Sequence, residues 1–174
     1  MSYNSIDLST IKIPRRMRSR PMFMGMAVPY TTYIDPKTGV PDFKINEEGA
    51  RRRCIFFSLC AMCGHSLGRN IAFIGGPGSI EQGQLFVDAG MHVECARYAW
   101  QVCPYIVYGK GHAQFRQDHG GIVVEFREIP TEAPERMGMI ITRGGYRVVI
   151  RQEDGMPFVR AGTPESVEWR TYTK

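Results

Sequence analysis

Two short motifs carry the residues of this chain best suited to act together: Cys60-Ala61-Met62-Cys63 and His92-Val93-Glu94-Cys95. The first has the two-residue spacing that lets a tight knuckle aim both thiolates at one ion, and Gly64 directly after it supplies the permissive backbone such a turn wants. In the second, residues three apart lie on one face of a first helical turn, so His92 and Cys95 can reach the same ion from a helix start. Three thiolates and an imidazole close a tetrahedron around zinc and leave no position for an activated water, which gives the ion a structural role.

The remaining cysteines and histidines fit this centre less well. Cys103 lies eight residues beyond Cys95, roughly 12 Å away on a continuous helix, whereas zinc ligands sit about 2.0–2.3 Å from the ion; it reads as a core thiol. Cys54, amid Ile55, Phe56 and Phe57, reads as packing. His65 is the rival to His92, but its nearness to Cys63 makes joint ligation awkward. Five cysteines are also an odd count for a disulfide framework. No stretch approaches the ~18 apolar residues of a membrane span, and no apolar block follows the basic N-terminal residues as in a secretory signal. The expectation is a cytoplasmic protein with reduced thiols and no membrane partner.

Catalytic readings compete with the structural one. His92-Val93-Glu94 matches the H-x-E fragment of zinc deaminases, with Glu94 as the proton carrier, but there the cysteine pair follows that fragment, whereas here it precedes it. A zinc nuclease would need further ligands and a base, for which His112, Asp118 and His119 in a glycine-rich loop are the candidates. Gly75-Gly76-Pro77-Gly78-Ser79 lacks the lysine and helix of a phosphate loop and reads as a turn.

The elements that must position the four ligands follow from punctuation and periodicity. Asp35-Pro36-Lys37-Thr38-Gly39 predicts a tight turn, and residues 45–59 a helix. Ile71–Ile74 and Gln84–Val87 read as two strands joined across Gly75–Gly78. Residues 92–103 form a helix ended by Pro104, since Cys95, Tyr98, Ala99 and Val102 recur at helical spacing. Knuckle, β-hairpin and ligand-bearing helix make a treble-clef zinc finger. After a glycine-rich loop over 109–121, Ile122–Phe126 reads as a strand. Arg143-Gly144-Gly145 predicts a hairpin between Gly138–Thr142 and Tyr146–Arg151, and Asp154-Gly155 a second turn before Phe158 and Val159. The fold class expected is α+β: a basic N-terminal segment (1–53) packed on the core, a treble-clef zinc module (54–108) and a small antiparallel β-sheet meander (109–174), together one globular unit.

The net charge of +5 is uneven. Residues 1–53 hold ten basic against five acidic side chains, whereas residues 54–104 hold two against three. Arg15, Arg16, Arg18 and Arg20, with Arg51, Arg52 and Arg53, are candidates for a cationic face that meets phosphate backbones or an acidic protein surface, or that only solvates the chain.

Cys60-x-x-Cys63-Gly64, Leu67-Gly68, Ala72-Phe73-Ile74-x-Gly76-Pro77, His92-x-x-Cys95-Ala96, Tyr98-Ala99 and Cys103-Pro104-Tyr105 together resemble a group of uncharacterised proteins from bacteriophages and prophages. Pro14-Arg15-Arg16 through Pro41-Asp42-Phe43, and Gly162-x-Pro164 with Val167-Glu168-Trp169, extend the likeness outward. In that group a methionine usually follows the Gly-Pro step, where this chain has Gly78, and a polar extension usually follows the position of Thr171. The resemblance implies a small phage-type zinc protein made inside a bacterial host, and it implies no known activity. The expected function is binding to a host or phage macromolecule, protein or nucleic acid, with possible targets in host defence or nucleic-acid processing; the alternative is a zinc-dependent enzyme, nuclease or deaminase-like, acting on nucleic acid or nucleotides.

Overall fold

The computed structural model describes residues 6–109, 113–118, 121–126 and 134–172, with residues 113–118 and 121–126 followed by their backbone alone. Its N-terminal part is a series of short elements: 3-10 turns at Leu8–Thr10 and Arg15–Met17, a hairpin of β1 (Met22–Phe23) and β2 (Met26–Ala27), and a second of β3 (Thr32–Ile34) and β4 (Pro41–Asn46). The predicted Asp35–Gly39 turn joins β3 to β4. Its geometry is set by Asp35, whose carboxylate accepts from the Lys37 N–H at 2.8 Å, and by Gly39 at φ +71°.

Helix α1 (Glu48–Phe57) falls inside the expected 45–59 span. Glu47 starts it, its carboxylate accepting from the Gly49 and Ala50 N–H groups, and Ser58 ends it in the left-handed region at φ 52°. Helix α3 (Val93–Val102), with His92 as its N-cap, matches the predicted 92–103 helix, and a short α2 (Pro77–Glu81) and α4 (Pro104–Tyr108) flank it in sequence.

Two three-stranded antiparallel sheets form the scaffold. One has the order β12–β9–β5, built from Pro164–Thr171, Arg136–Arg143 and Asn70–Gly75; the other is β10–β11–β6, from Tyr146–Ile150, Pro157–Ala161 and Leu85–Phe86. A separate hairpin pairs β7 (Ala113–Asp118) with β8 (Gly121–Phe126), so a strand occupies much of the expected 109–121 loop. The Asp154-Gly155 turn joins β10 to β11 as predicted.

Two expected hairpins are corrected. β5 and β6 do not pair with each other: Pro77 stands at the first helical position with its φ already suited to a helix, and α2 carries the chain away. Each strand instead finds a partner far along the sequence, β5 on β9 and β6 on β11. Gly144 and Gly145, at φ +94° and +93°, likewise turn the chain from one sheet into the other instead of closing β9 on β10. The sheets are sewn together by aromatic rings: Phe73 of β5 stacks on Phe86 of β6 at 5.1 Å between centroids and meets the Tyr146 edge at 6.2 Å. The Tyr146 hydroxyl then donates to the Ile55 carbonyl at 2.6 Å, at the end of α1. Among the described residues, no helix is long and apolar enough to cross a membrane.

Candidate metal centre

Cys60 and Cys63 lie on a knuckle whose backbone closes on itself, the Gly64 N–H donating to the Cys60 carbonyl and the Cys60 N–H to the His65 carbonyl, both at 2.8 Å. The helix-borne pair is held against this knuckle by the three residues before α3. The Ala61 N–H donates to the Gly90 carbonyl at 3.0 Å, and Met91 exchanges two backbone hydrogen bonds with Ala72 of β5, at 2.8 and 2.9 Å. Gly90 has no room for a side chain: a Cβ there would lie 2.5 Å from the Ile71 methyl. His92 is thereby delivered to the knuckle by β5, the edge strand of the first sheet, and Cys95 follows one helical turn later.

The Sγ atoms of Cys60, Cys63 and Cys95 and a ring nitrogen of His92 all lie within 4.8 Å of one another, and all four residues are buried. Nδ1 of His92 stands 3.4 Å from the Cys63 sulfur, while Nε2 stands 3.0 Å from the Ser66 carbonyl. A proton on Nε2 bonded to that carbonyl leaves Nδ1 as a bare lone pair facing the sulfurs, the tautomer a metal requires. The His92 backbone N–H donates to the Cys60 sulfur at 3.4 Å, so the start of α3 also favours negative charge there. The group can therefore hold a metal ion.

The thiols' own balance agrees. Three so close cannot all ionise by themselves. Cys63 is drawn well below the ordinary thiol range by hydrogen bonds from Cys60 and Cys95, which are pushed up as the donors. A cation among them reverses this, because a coordinated thiol is deprotonated outright.

Of the residues weighed from sequence, His65 is exposed and outside the four-atom cluster. Cys54 is fully buried, and burial pushes its thiol up to about 12. Cys103 is half-buried, caps both α3 and α4, and lines a cavity of about 600 Å³ shared with Met62 of the knuckle. Glu94 is at the surface, its carboxylate 3.0 Å from Arg16. Asp118 ends β7, and His112 and His119 lie outside the described residues.

The basic residues differ in their partners and burial. Arg15 and Arg18 are exposed, and Arg16 is engaged by Glu94. Arg20 donates to the Val28 carbonyl at 3.0 Å and lies over the Tyr30 ring. Arg52 and Arg53 pair with Glu48 and Glu47. Arg51 leaves the proposed cationic face altogether: it is 2% exposed, bound between α1 and the second sheet.

Tyr30 is the part of the centre that the motifs do not announce. Its N–H donates to the Met62 carbonyl at 2.9 Å, and its ring lies against Gly64. A Cβ on Gly64 would lie 2.7 Å from that ring, at φ +77° where any side chain is already strained. Gly64→Ala is expected to cost about 2–3 kcal/mol, read as a lower melting temperature with the cluster residues unchanged. A shift under 1 °C would show that the knuckle tolerates a side chain there.

Compared with known proteins, the chain matches no family model, no curated protein and no solved structure.

Proposed function

We propose that this chain is a zinc-stapled binding module, in which Cys60, Cys63, His92 and Cys95 hold one structural zinc ion and recognition takes place on the outer surface. The observation that carries the reading is the buried convergence of three sulfurs and one imidazole nitrogen within 4.8 Å. With metal–ligand distances of about 2.0–2.3 Å, tetrahedral ligands stand roughly 3.4–3.8 Å apart, so the site needs only a small contraction around the ion. Sulfur-rich tetrahedral sites select zinc or iron, and a closed set of protein ligands serves structure. The knuckle and the helix-borne pair support classing the module as a treble-clef variant, with the intervening hairpin replaced by strands that join two larger sheets.

The motif resemblance supports placing the protein among phage and prophage products, acting inside a bacterial host on a host or phage macromolecule. The test has two layers. Metal analysis of protein purified without added metal is expected to return one zinc per chain; none, in a folded protein, overturns the staple. Capture from host lysate with and without nuclease then asks what is bound. A specific partner in either arm, protein or nucleic acid, supports the binding role, and catalytic turnover of nucleotides or nucleic acid with no stable partner overturns it.

A further inference from the structure

The second sheet has one face against the core and one outward. Its inward face is closed on β11 and β6 by Val159, Phe86 and Pro157, all buried to 2% exposure or less, whereas Val148 and Ile150 of β10 on the same face are exposed. The outward face carries a charge arrangement that the fold itself disfavours. Arg147 of β10 and Arg160 of β11 are direct antiparallel partners, and both are exposed. Like charges opposite each other on adjacent strands are destabilising. No carboxylate lies within ion-pairing distance of either among the described residues, although Arg16, Arg51, Arg52, Arg53, Arg97, Arg136, Arg143 and Arg151 all have one.

The surroundings of this pair are half-buried and apolar. Alternation places Val149 and Phe158, themselves register partners, on the same face, and Leu85 of β6 stands beside Arg160. At the hairpin end, Arg151 lies over the Phe158 ring, 5.3 Å from its centroid. Asp154 holds it there through both carboxylate oxygens, and the Asp154 carboxyl is in turn lowered to about 2 by that pairing. Glu153 is the further acidic group at this tip, 3.9 Å from Arg151. The result is a guanidinium held over an aromatic ring, one step along the sheet from two cations with no carboxylate partner among the described residues.

We propose that this face binds single-stranded nucleic acid, with phosphates bridging Arg147 and Arg160 and a base stacked on the Arg151–Phe158 pair. Paired guanidinium forks match phosphate oxygens, and an anion between them relieves their repulsion. Guanidinium planes and apolar sheet positions serve unstacked bases, which a duplex keeps inside its stack. This deepens the binding-module reading and names its partner.

The test is fluorescence anisotropy with zinc-loaded protein and labelled 12-nucleotide single strands, the same sequence as duplex, and poly-glutamate as a phosphate-free polyanion. Wild-type protein is expected to bind the single strands, with affinity falling as salt rises. The Arg147→Gln, Arg160→Gln double variant should lose at least about tenfold, and its log–log salt slope should flatten by about one to two. Asp154→Asn removes a carboxylate and by charge alone would tighten binding, so weaker binding is expected because Arg151 is freed from the ring, and tighter binding overturns the stacking contact. Arg15→Gln with Arg18→Gln should leave binding unchanged. Zinc content and melting of each variant confirm that these surface changes leave the fold intact. The proposal is overturned if the double variant binds like wild type, if duplex or poly-glutamate binds as tightly as single strands, or if no strand binds at low salt. In that last case one zinc per chain would leave the staple standing and remove only this partner.

Discussion

Cys95→Ser is expected to abolish zinc binding and cooperative folding together. Apparent binding free energies for structural zinc in small domains are about 10–16 kcal/mol at neutral pH, as large as the whole stability of a typical domain, about 5–15 kcal/mol. Cys95 is fully buried, at the meeting of α3 and the knuckle, so the loss has no surface on which to dissipate. The variant should give no sharp thermal transition, and wild-type protein stripped with a strong chelator should behave in the same way. Cys54→Ala is the matched control. That thiol is equally buried, but its one polar contact among the described residues is a 3.8 Å approach to the Cys60 carbonyl, so the change should cost about 1–2 kcal/mol and keep one zinc per chain. Equal damage from the two variants would mean that cysteine burial, and not metal ligation, holds this region.

The second large effect falls on Arg51. Its Nε and Nη2 bond both oxygens of Glu48, at 2.7 and 2.9 Å, and Nη1 bonds the carbonyls of Val87 and Pro157, at 2.5 and 3.0 Å. Those carbonyls belong to the residues just after β6 and at the start of β11, so one buried cation fastens α1 to the second sheet. Arg51→Met keeps much of the volume but leaves two carbonyls without a donor, each worth about 1–3 kcal/mol when buried. A loss of about 3–5 kcal/mol is expected, or roughly 6–20 °C in melting temperature for a domain of this size. Arg51→Lys should recover only part of it, since an ammonium cannot reproduce the fork.

The pH dependence follows from Glu48. Its carboxyl is held below the ordinary value by the hydrogen bond from Arg51. A depressed folded-state value means stabilisation that is present above the unfolded carboxylate pKa and lost as pH falls through the folded one. Because Glu48 is half-exposed, solvent screens much of the effect. The acid limb of the stability–pH curve should be slightly shallower in Arg51→Met than in wild type, and identical limbs would show that the pair is uncoupled to folding.

The four residues of the candidate metal centre were legible in the sequence because their signal is local and chemical: residue type and a spacing of three, each half within one turn of chain. The strand pairings were not. Ile71–Ile74 and Leu85–Phe86 look like any short apolar runs, and nothing near them marks β9 and β11 as their partners. Pro77 after Gly76 did mark a helix start, and a turn reading of the glycines obscured it. Arg51 hides in a run of three arginines, where charge alone points outward. Helical spacing shows otherwise, since Ala50, Arg51, Cys54 and Ile55 form one buried stripe. The Arg147–Arg160 pair exists only through the β10–β11 register, for which the Asp154-Gly155 turn was the available clue.

Zinc K-edge X-ray absorption on the purified protein reads the ligands of the bound ion themselves. Four-coordinate zinc is expected, with three sulfur ligands at about 2.3 Å and one nitrogen at about 2.0–2.1 Å, the nitrogen lost in His92→Ala and one sulfur lost in Cys63→Ser if either variant still holds the ion. A site dominated by oxygen or nitrogen, or a folded protein without bound zinc, would contradict it.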